Sequence, residues 1–426
     1  MTTVDHVAVR TGGPAAHPDG CPGAAPGTPG HRTGGAAGTV GAATSLLDAY
    51  EPGRARFFAS PTRTLLAHGI RAEVPHGDTP LARRVTETLD AQLLAGHEAP
   101  IVVGTVPFDP TARAELAVPL AARWAPALAD DPLIALPAAA PAAARWDIRP
   151  VPEPAAYGAS VAEAVRRMKR GDFAKVVLAR TLELTSDREP DLPALLQRLA
   201  RRDPAGYTFA VPSGPGRTLL GASPELLVSR RGTTLTANPL AGSTPRSADL
   251  AEDVRRAAAL LQSEKDLHEH AVVVDAVREA LTPYCRSLDV PERPTLVRTA
   301  AMWHLSTTIG GELAEPAVSA LELASALHPT PAVCGTPTRT ARDVIGELEP
   351  FDRGHFTGMV GWGDASGDGE WVVTIRCAEA EGRTLRLYAG AGIVDRSSPE
   401  AETAETGAKF RTFLDAVGAD HQEAGR

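Results

Sequence analysis

Lysine is scarce in this chain: of 43 basic residues only Lys169, Lys175, Lys265 and Lys409 are lysine, and the remainder are arginine. Either residue supplies a solvated positive charge, but only lysine can lose its proton and act as a base, so each of the four is a position to inspect. Cysteine is also sparse. Cys21, Cys285, Cys334 and Cys377 lie far apart without a C-x-x-C pair, which signals neither a zinc cluster nor a disulfide framework and fits a reducing, cytoplasmic setting. Basic residues do not outnumber acidic ones: 43 Lys and Arg stand against 52 Asp and Glu, a net charge of -9 and the wrong sign for a phosphate-binding surface, so no nucleic-acid partner is expected. No apolar run approaches the roughly 20 residues of a membrane helix, so no membrane span is expected. The N-terminus also lacks the charged-then-apolar order of a secretory signal, since Arg10 is followed by Gly and Pro. What is present, 426 residues with 22% charged and 43% hydrophobic, suffices for a large folded core and excludes a wholly disordered or collagen-like chain.

Residues 1–44 hold ten Gly, five Pro and nine Ala, with few large apolar groups to offset the entropy of ordering, and read as a disordered tail. A catalytic domain is expected over 45–420, with 421–426 as a C-terminal tail. A second Pro/Ala-rich stretch, Ala125 to Ala156, reads as a surface connection. Strands are expected at Lys175–Arg180, Tyr207–Val211, Leu226–Arg230, Trp371–Arg376 and Leu385–Tyr388, and helices at Ala159–Arg170, Leu250–Leu281 and Pro399–Ala416. Interspersed helices and strands give one large mixed α/β or α+β unit.

Several groups could carry chemistry. In the last helix Ser398 fits the N-cap and Pro399 the first helical position, and Glu402, Glu405 and Lys409 follow at spacings of three and four on one face. Taken alone, such a face is a solvated stripe with a Glu405–Lys409 ion pair. The helix, however, follows Tyr388 to Val394, a run of small residues after a strand where bare backbone can approach a ligand. In Ser263 to His270 the two histidines, His268 and His270, point to different faces, so this is not the H-E-x-x-H zinc motif. Asp266 and Glu269 do share a face. Brought together with Glu402 and Glu405 across a cleft, they would make an all-carboxylate site suited to a hard cation such as Mg²⁺. Lys175 opens an apolar strand, an expensive place for a cation unless it reaches solvent or meets an acid. Glu225 sits between a Gly/Pro turn and a strand, where it is either a surface charge or part of a site. Gly242-Ser243 forms a tight turn with backbone donors to offer.

At these motifs the sequence resembles the chorismate-utilising enzymes, and most closely the isochorismate synthases, from about Arg54 to Gly418. The densest blocks are Lys175–Arg180, Gly221–Leu227, Pro239–Ser243, Ser263–His270, Trp303–Leu305, Leu327–Gly335, Glu347–Asp352, Gly361–Cys377 and Ala389–Lys409. The resemblance implies one large domain with β-sheets enclosing helices. It implies Mg²⁺-dependent conversion of chorismate to isochorismate, with Lys175 as the base that activates water for attack at C2 and Glu225 as the acid that protonates the departing C4 hydroxyl. It also implies Glu269 and Glu405 as metal ligands, with Glu402 and Asp266 as nearby or water-mediated partners. Gly242, Ser243, Ala332, Arg376, Gly390 and Lys409 fall at substrate-binding positions, and His304 at a pocket histidine near the ring. Chorismate carries two carboxylates, so a net-acidic protein must build a local positive site for it. The lysine favours water over ammonia, so no glutaminase subunit is expected, and a monomer is. Salicylate synthases, which also eliminate pyruvate, keep that lysine but tend to carry Thr where this chain has Ala332, so isochorismate is the expected product. An idle chorismate-binding subunit is the contrasting class, disfavoured because acid, base and metal carboxylates all remain. The pathway served, whether siderophore, salicylate or menaquinone, belongs to downstream enzymes.

Overall fold

The computed structural model describes residues 39–141 and 145–419. Most of the expected N-terminal tail, residues 1–38, and the expected C-terminal tail, 421–426, lie outside them. Regular structure begins before residue 45, where the composition placed the end of the tail. Helix Ala42–Asp48 lies partly within the expected tail and buries Ala43, Thr44, Leu46 and Leu47. Its start is tied down by the Asp131 carboxylate, which accepts from Gly41 N at 3.0 Å and Thr44 N at 2.9 Å.

Two large antiparallel sheets dominate the described residues. In spatial order the first runs Gly335–Thr336, Lys175–Ser186, Thr384–Ile393, Cys377–Glu381, Arg217–Ser223, Tyr207–Gly214, Ala55–Ala59, Thr64–His68 and Ala121–Ala125. The second runs Cys285–Asp289, Ile309–Leu313, Thr234–Asn238, Leu226–Arg231, Gly369–Val373, Met359–Asp364, Ile101–Val106, Glu115–Val118 and Ala72–Glu73. A small sheet joins Leu240–Pro245, Met302–Ser306 and Thr295–Arg298.

The period of two along each strand decides the layering. Phe58, Phe209, Leu219 and Tyr388 of the first sheet meet Val103, Val360, Trp362 and Val372 of the second in one apolar cluster. Their strand neighbours Phe57, Ala210, Leu220 and Leu387 face outward onto helices Leu192–Arg202 and Pro399–Val417. On the second sheet Val102, Trp371 and Val373 face outward, into a cluster shared with helices Glu264–Leu281 and Ala320–Leu327. The mixed α+β class is the one expected. Within it the two sheets meet through one apolar cluster and helices pack on their other faces, because the central strands are apolar on both faces.

Three local expectations need correcting. The helix foreseen over Leu250–Leu281 is two helices, Leu250–Leu260 and Glu264–Leu281, because Ser263 caps the second by accepting from Asp266 N. The Ala125–Ala156 connection is not merely surface. It contains short 3-10 turns that bury Leu128 and Ile134, and the strand Trp146–Val151. The strand expected to reach Arg376 stops at Val373.

That early stop positions the site. The chain passes between the two large sheets at Pro224-Glu225 and again at Thr374–Arg376, and the strands flanking these crossings pair with each other in both sheets. Ala222 N donates to Arg376 O at 3.0 Å, and Val373 N to Glu225 O at 3.1 Å, so the crossings lie side by side. Among the described residues no helix is long and apolar enough to cross a membrane.

Candidate active site

A cavity opens where the apolar layer between the sheets ends. Along strands Lys175–Ser186 and Thr384–Ile393 the inward-facing residues change from Ala179 and Tyr388 to Val177, Lys175, Gly390 and Gly392. The two crossings, the small sheet and helices Glu264–Leu281 and Pro399–Val417 complete the wall. Of the residues singled out from sequence, Glu225, Gly242, Ser243, Asp266, Glu269, His304, Ala332, Arg376, Gly390, Glu405 and Lys409 all line it.

Glu225, on the first crossing, is buried, and burial pushes its carboxyl up to about 8. A backbone bond from Leu240 and the charges of Lys175, Lys409 and Arg376 oppose that rise without cancelling it. The carboxyl is therefore protonated at neutral pH. Arg376, on the second crossing, adopts a left-handed backbone conformation with φ 49°. Burial lowers its guanidinium to about 10, which still leaves it charged at neutral pH. His304 pairs in register with Ser243 on the small sheet, and its Nε2 lies 3.3 Å from an Arg376 nitrogen. Burial first, then Arg376 and Lys409, hold that imidazole neutral.

The last helix begins as expected, with Ser398 Oγ accepting from Ala401 N. Its acidic face is not a solvated stripe: the side chains of Glu402, Glu405 and Lys409 are 2%, 25% and 15% exposed. Lys409 Nζ donates to Gly390 O at 2.7 Å and pairs with Glu405 Oε1 at 2.7 Å. Ser243 Oγ donates to the same carboxylate at 3.0 Å. Burial would raise the Glu405 carboxyl, but these partners hold it below its ordinary value. Glu402 does not reach the cavity. Its carboxylate lies 3.3 Å from Lys265 Nζ, and burial, then Glu405, raises it.

On helix Glu264–Leu281, Asp266 and Glu269 face the cavity as their spacing required. His270 points away and is bonded to Ala241 O and Thr307 Oγ1, while His268 is exposed. The Asp266 carboxyl is raised by burial and by the nearby Glu269 and Glu405 carboxylates, against the Ser263 hydroxyl. Close approach of this helix depends on two glycines. A Cβ on Gly242, where φ is 75°, would meet Asp266 Cβ at 3.0 Å, and one on Gly392 would collide with Glu269 Oε1.

Lys175 stands just behind Glu269. Its side chain is 3% exposed and its Nζ lies 2.8 Å from Glu269 Oε1, in an ion pair that is not a well-directed hydrogen bond, with no hydrogen-bond partner for Nζ. It does not snorkel to solvent. Three of the four lysines therefore converge on this region, and Lys265 lines the cavity although sequence reasoning gave it no role. Thr357 was also missed, and Tyr388 and Gly392 were not singled out within the Tyr388–Val394 run. Gly392 alone had a signal, lying two residues from Gly390 on the same strand face.

The donor set is all oxygen and faces one cavity, which suits a hard divalent cation. Each carboxylate is directed at an ammonium or hydroxyl, and among the described residues no three carboxylates, imidazoles or thiols stand together as a preformed metal site. The residues thus fit Mg²⁺ by chemistry and by shared location, and in this conformation lysines supply the counter-charge.

Residues 135–418 match the family model described as chorismate binding enzyme. An isochorismate synthase of Bacillus subtilis is 55% identical over 390 residues, which span 89% of this chain and 97% of the relative. The vibriobactin-specific isochorismate synthase of Vibrio cholerae is 43% identical over 366 residues, spanning 85% of this chain and 91% of the relative. The crystal structure of a putative 2,3-dihydroxybenzoate-specific isochorismate synthase from Bacillus anthracis superposes with a TM-score of 0.83 at 49% identity, covering 89% of this chain and all of the other.

Proposed function

Starting from the chorismate-binding enzyme family, to which this chain belongs, and from its standing as an isochorismate synthase, we propose how the cavity carries out the isomerisation of chorismate to isochorismate. The reading rests above all on one observation: a protonated carboxyl, Glu225, is buried in the wall of a cavity beside a cluster of cations, and a buried amine, Lys175, stands directly behind that wall against Glu269.

Arg376, with its rigid backbone position, takes one substrate carboxylate, helped by Lys409 and the exposed backbone at Gly390 and the Gly242-Ser243 turn. Glu269 and Glu405 would hold Mg²⁺, with Asp266 on the cavity wall and Glu402 behind it acting through water. Once bound, the ion supplies the positive charge that neutralises the ring carboxylate. Lys175 is buried against Glu269 with no well-directed partner of its own, which leaves its amine free to exchange partners. Lys175 then takes a proton from the water that attacks C2. Glu225, protonated at neutral pH, gives its proton to the C4 hydroxyl as it leaves. Each transfer is worth on the order of a hundredfold or more. Neutral His304 beside Arg376 packs against the ring without adding charge.

Water needs no partner enzyme to deliver it, so chorismate is the only partner invoked, and the chain is expected to work as a monomer in the cytoplasm without a glutaminase subunit. The Thr357 and Ser243 hydroxyls that line the cavity with Ala332 are both engaged. Thr357 Oγ1 donates to Phe356 O and accepts from Arg353, and Ser243 is engaged by Glu405. This favours release of isochorismate over onward elimination to salicylate. The names of the relatives from Vibrio cholerae and Bacillus anthracis support a role in catechol siderophore supply.

Incubation of purified protein with chorismate and Mg²⁺, followed by separation of products, tests the reading. Isochorismate without salicylate or pyruvate is expected, and EDTA should abolish its formation. Salicylate with pyruvate would overturn the product assignment, and full turnover in EDTA would overturn the metal.

A further inference from the structure

Arg180 lies on the same strand as Lys175 but on the opposite, helix-covered face. It is 1% exposed, Nε donates to Thr406 Oγ1 at 2.9 Å, and a terminal nitrogen donates to Thr403 O at 3.3 Å. Thr406 Oγ1 itself donates to Thr403 O at 2.9 Å. The guanidinium lies over the rings of Tyr157 and Phe410, at 5.9 and 5.3 Å from their centroids. Among the described residues no ion pair with a carboxylate is formed, and its other terminal nitrogen has no hydrogen-bond partner.

For stability alone this is a poor choice. A buried cation without an anion is costly, and an apolar side chain of similar volume is often as good or better. What the arginine does is geometric. Thr403 and Thr406 each follow directly on Glu402 and Glu405, so two bonds from one rigid, planar group fix the rotation of the last helix about its axis. Rotation decides whether the Glu405 carboxylate meets Ser243 and the cavity. The opposite end of the lever is the strand that begins with Lys175, paired throughout with the strand carrying Gly390 and Gly392.

We propose that Arg180 is a positioning residue for the metal carboxylates: it locks helix Pro399–Val417 to the strand of Lys175, so that Glu405 is presented to Mg²⁺ in fixed register with the base. This rests on the metal reading given above. Removing such an outer support typically weakens metal binding by about 10- to 100-fold.

The test is Mn²⁺ binding followed by electron paramagnetic resonance in an equilibrated chorismate mixture, alongside the Mg²⁺ concentration for half-maximal turnover. In Arg180→Met the Mn²⁺ dissociation constant and the half-maximal Mg²⁺ concentration are both expected to rise by roughly 10-fold or more, while turnover at saturating Mg²⁺ and the melting temperature change little. Thr406→Val, which removes the acceptor while nearly preserving shape, should match it, and Thr406→Ser should behave as wild type. The double variant Arg180→Met/Thr406→Val should be no worse than either single one, because both break the same link. Unchanged Mn²⁺ affinity in Thr406→Val and in folded Arg180→Met would overturn the proposal while leaving the metal site standing. Absence of Mn²⁺ binding by the wild-type protein would overturn both.

Discussion

Two buried ion pairs flank the cavity, and they differ in how fully they are satisfied. Arg353 and Glu349, each 2% exposed, form a closed brace. Arg353 donates twice to Glu349, to Val333 O and Val177 O at 2.8 Å each, and to Thr357 Oγ1, while Glu349 also accepts from Ala179 N. Lys175 and Glu269 are nearly as buried, yet the lysine has that one poorly directed contact and nothing else. A buried charge with every bond made holds the wall of the cavity in place. A buried charge left short is poised to change partners, which is what proton transfer demands.

Substitution should separate the two roles. Lys175→Arg keeps the charge but forbids deprotonation, so turnover is expected to fall by about 10²- to 10⁴-fold, with chorismate binding and melting temperature little changed. Activity near that of wild type would remove the distinction. Arg353→Ala should do the opposite. Leaving Glu349 buried without its partner is expected to lower unfolding free energy by about 3–5 kcal/mol in denaturant titration, with a far smaller loss of turnover in the protein that remains folded.

Titration sharpens the contrast through Glu225. Its carboxyl is raised to about 8, so it must be protonated to act, and kcat/KM is expected to fall as pH rises through about 8. Stability carries the same sign. The unfolded chain ionises this group near its ordinary 4.5, the folded chain only near 8, so stability declines from about pH 4.5 upward until the folded carboxyl ionises. Glu225→Gln should lose turnover and, in thermal melts across this range, remove that part of the decline. A decline identical to wild type would contradict the assigned burial effect. Smallest of all should be Lys169→Met, at the exposed end of its helix, with turnover unchanged and stability within about 0.5 kcal/mol.

The scarcity of lysine made much of this site legible. In a chain that uses arginine for ordinary positive charge, Lys265 and Lys409 line one cavity, Lys175 stands directly behind its wall, and only Lys169 is left away from it. Helical spacing correctly placed Asp266 with Glu269, and Glu405 with Lys409, because those relations are local. Local pattern could not show that Glu225 and Arg376 would be neighbours. Some 150 positions of chain separate them, and they meet only because two crossings between sheets run side by side, a matter of strand pairing that no short window contains. The same limit hid the layering: a strand apolar on both faces reads as buried but not as facing another sheet on one side and helices on the other. Arg180 was invisible for a related reason, since its acceptors lie on a helix more than two hundred residues away.

The most direct test is the origin of the new hydroxyl. Chorismate turned over in H₂¹⁸O with Mg²⁺ should yield isochorismate carrying one ¹⁸O at C2 and none elsewhere on the ring, with labelling suppressed in Lys175→Arg in proportion to turnover. Isochorismate that keeps the original C4 oxygen, or labelling that proceeds at the wild-type rate without the lysine, would contradict a mechanism in which a buried amine delivers water to one carbon while a buried acid protonates the hydroxyl that leaves another as water.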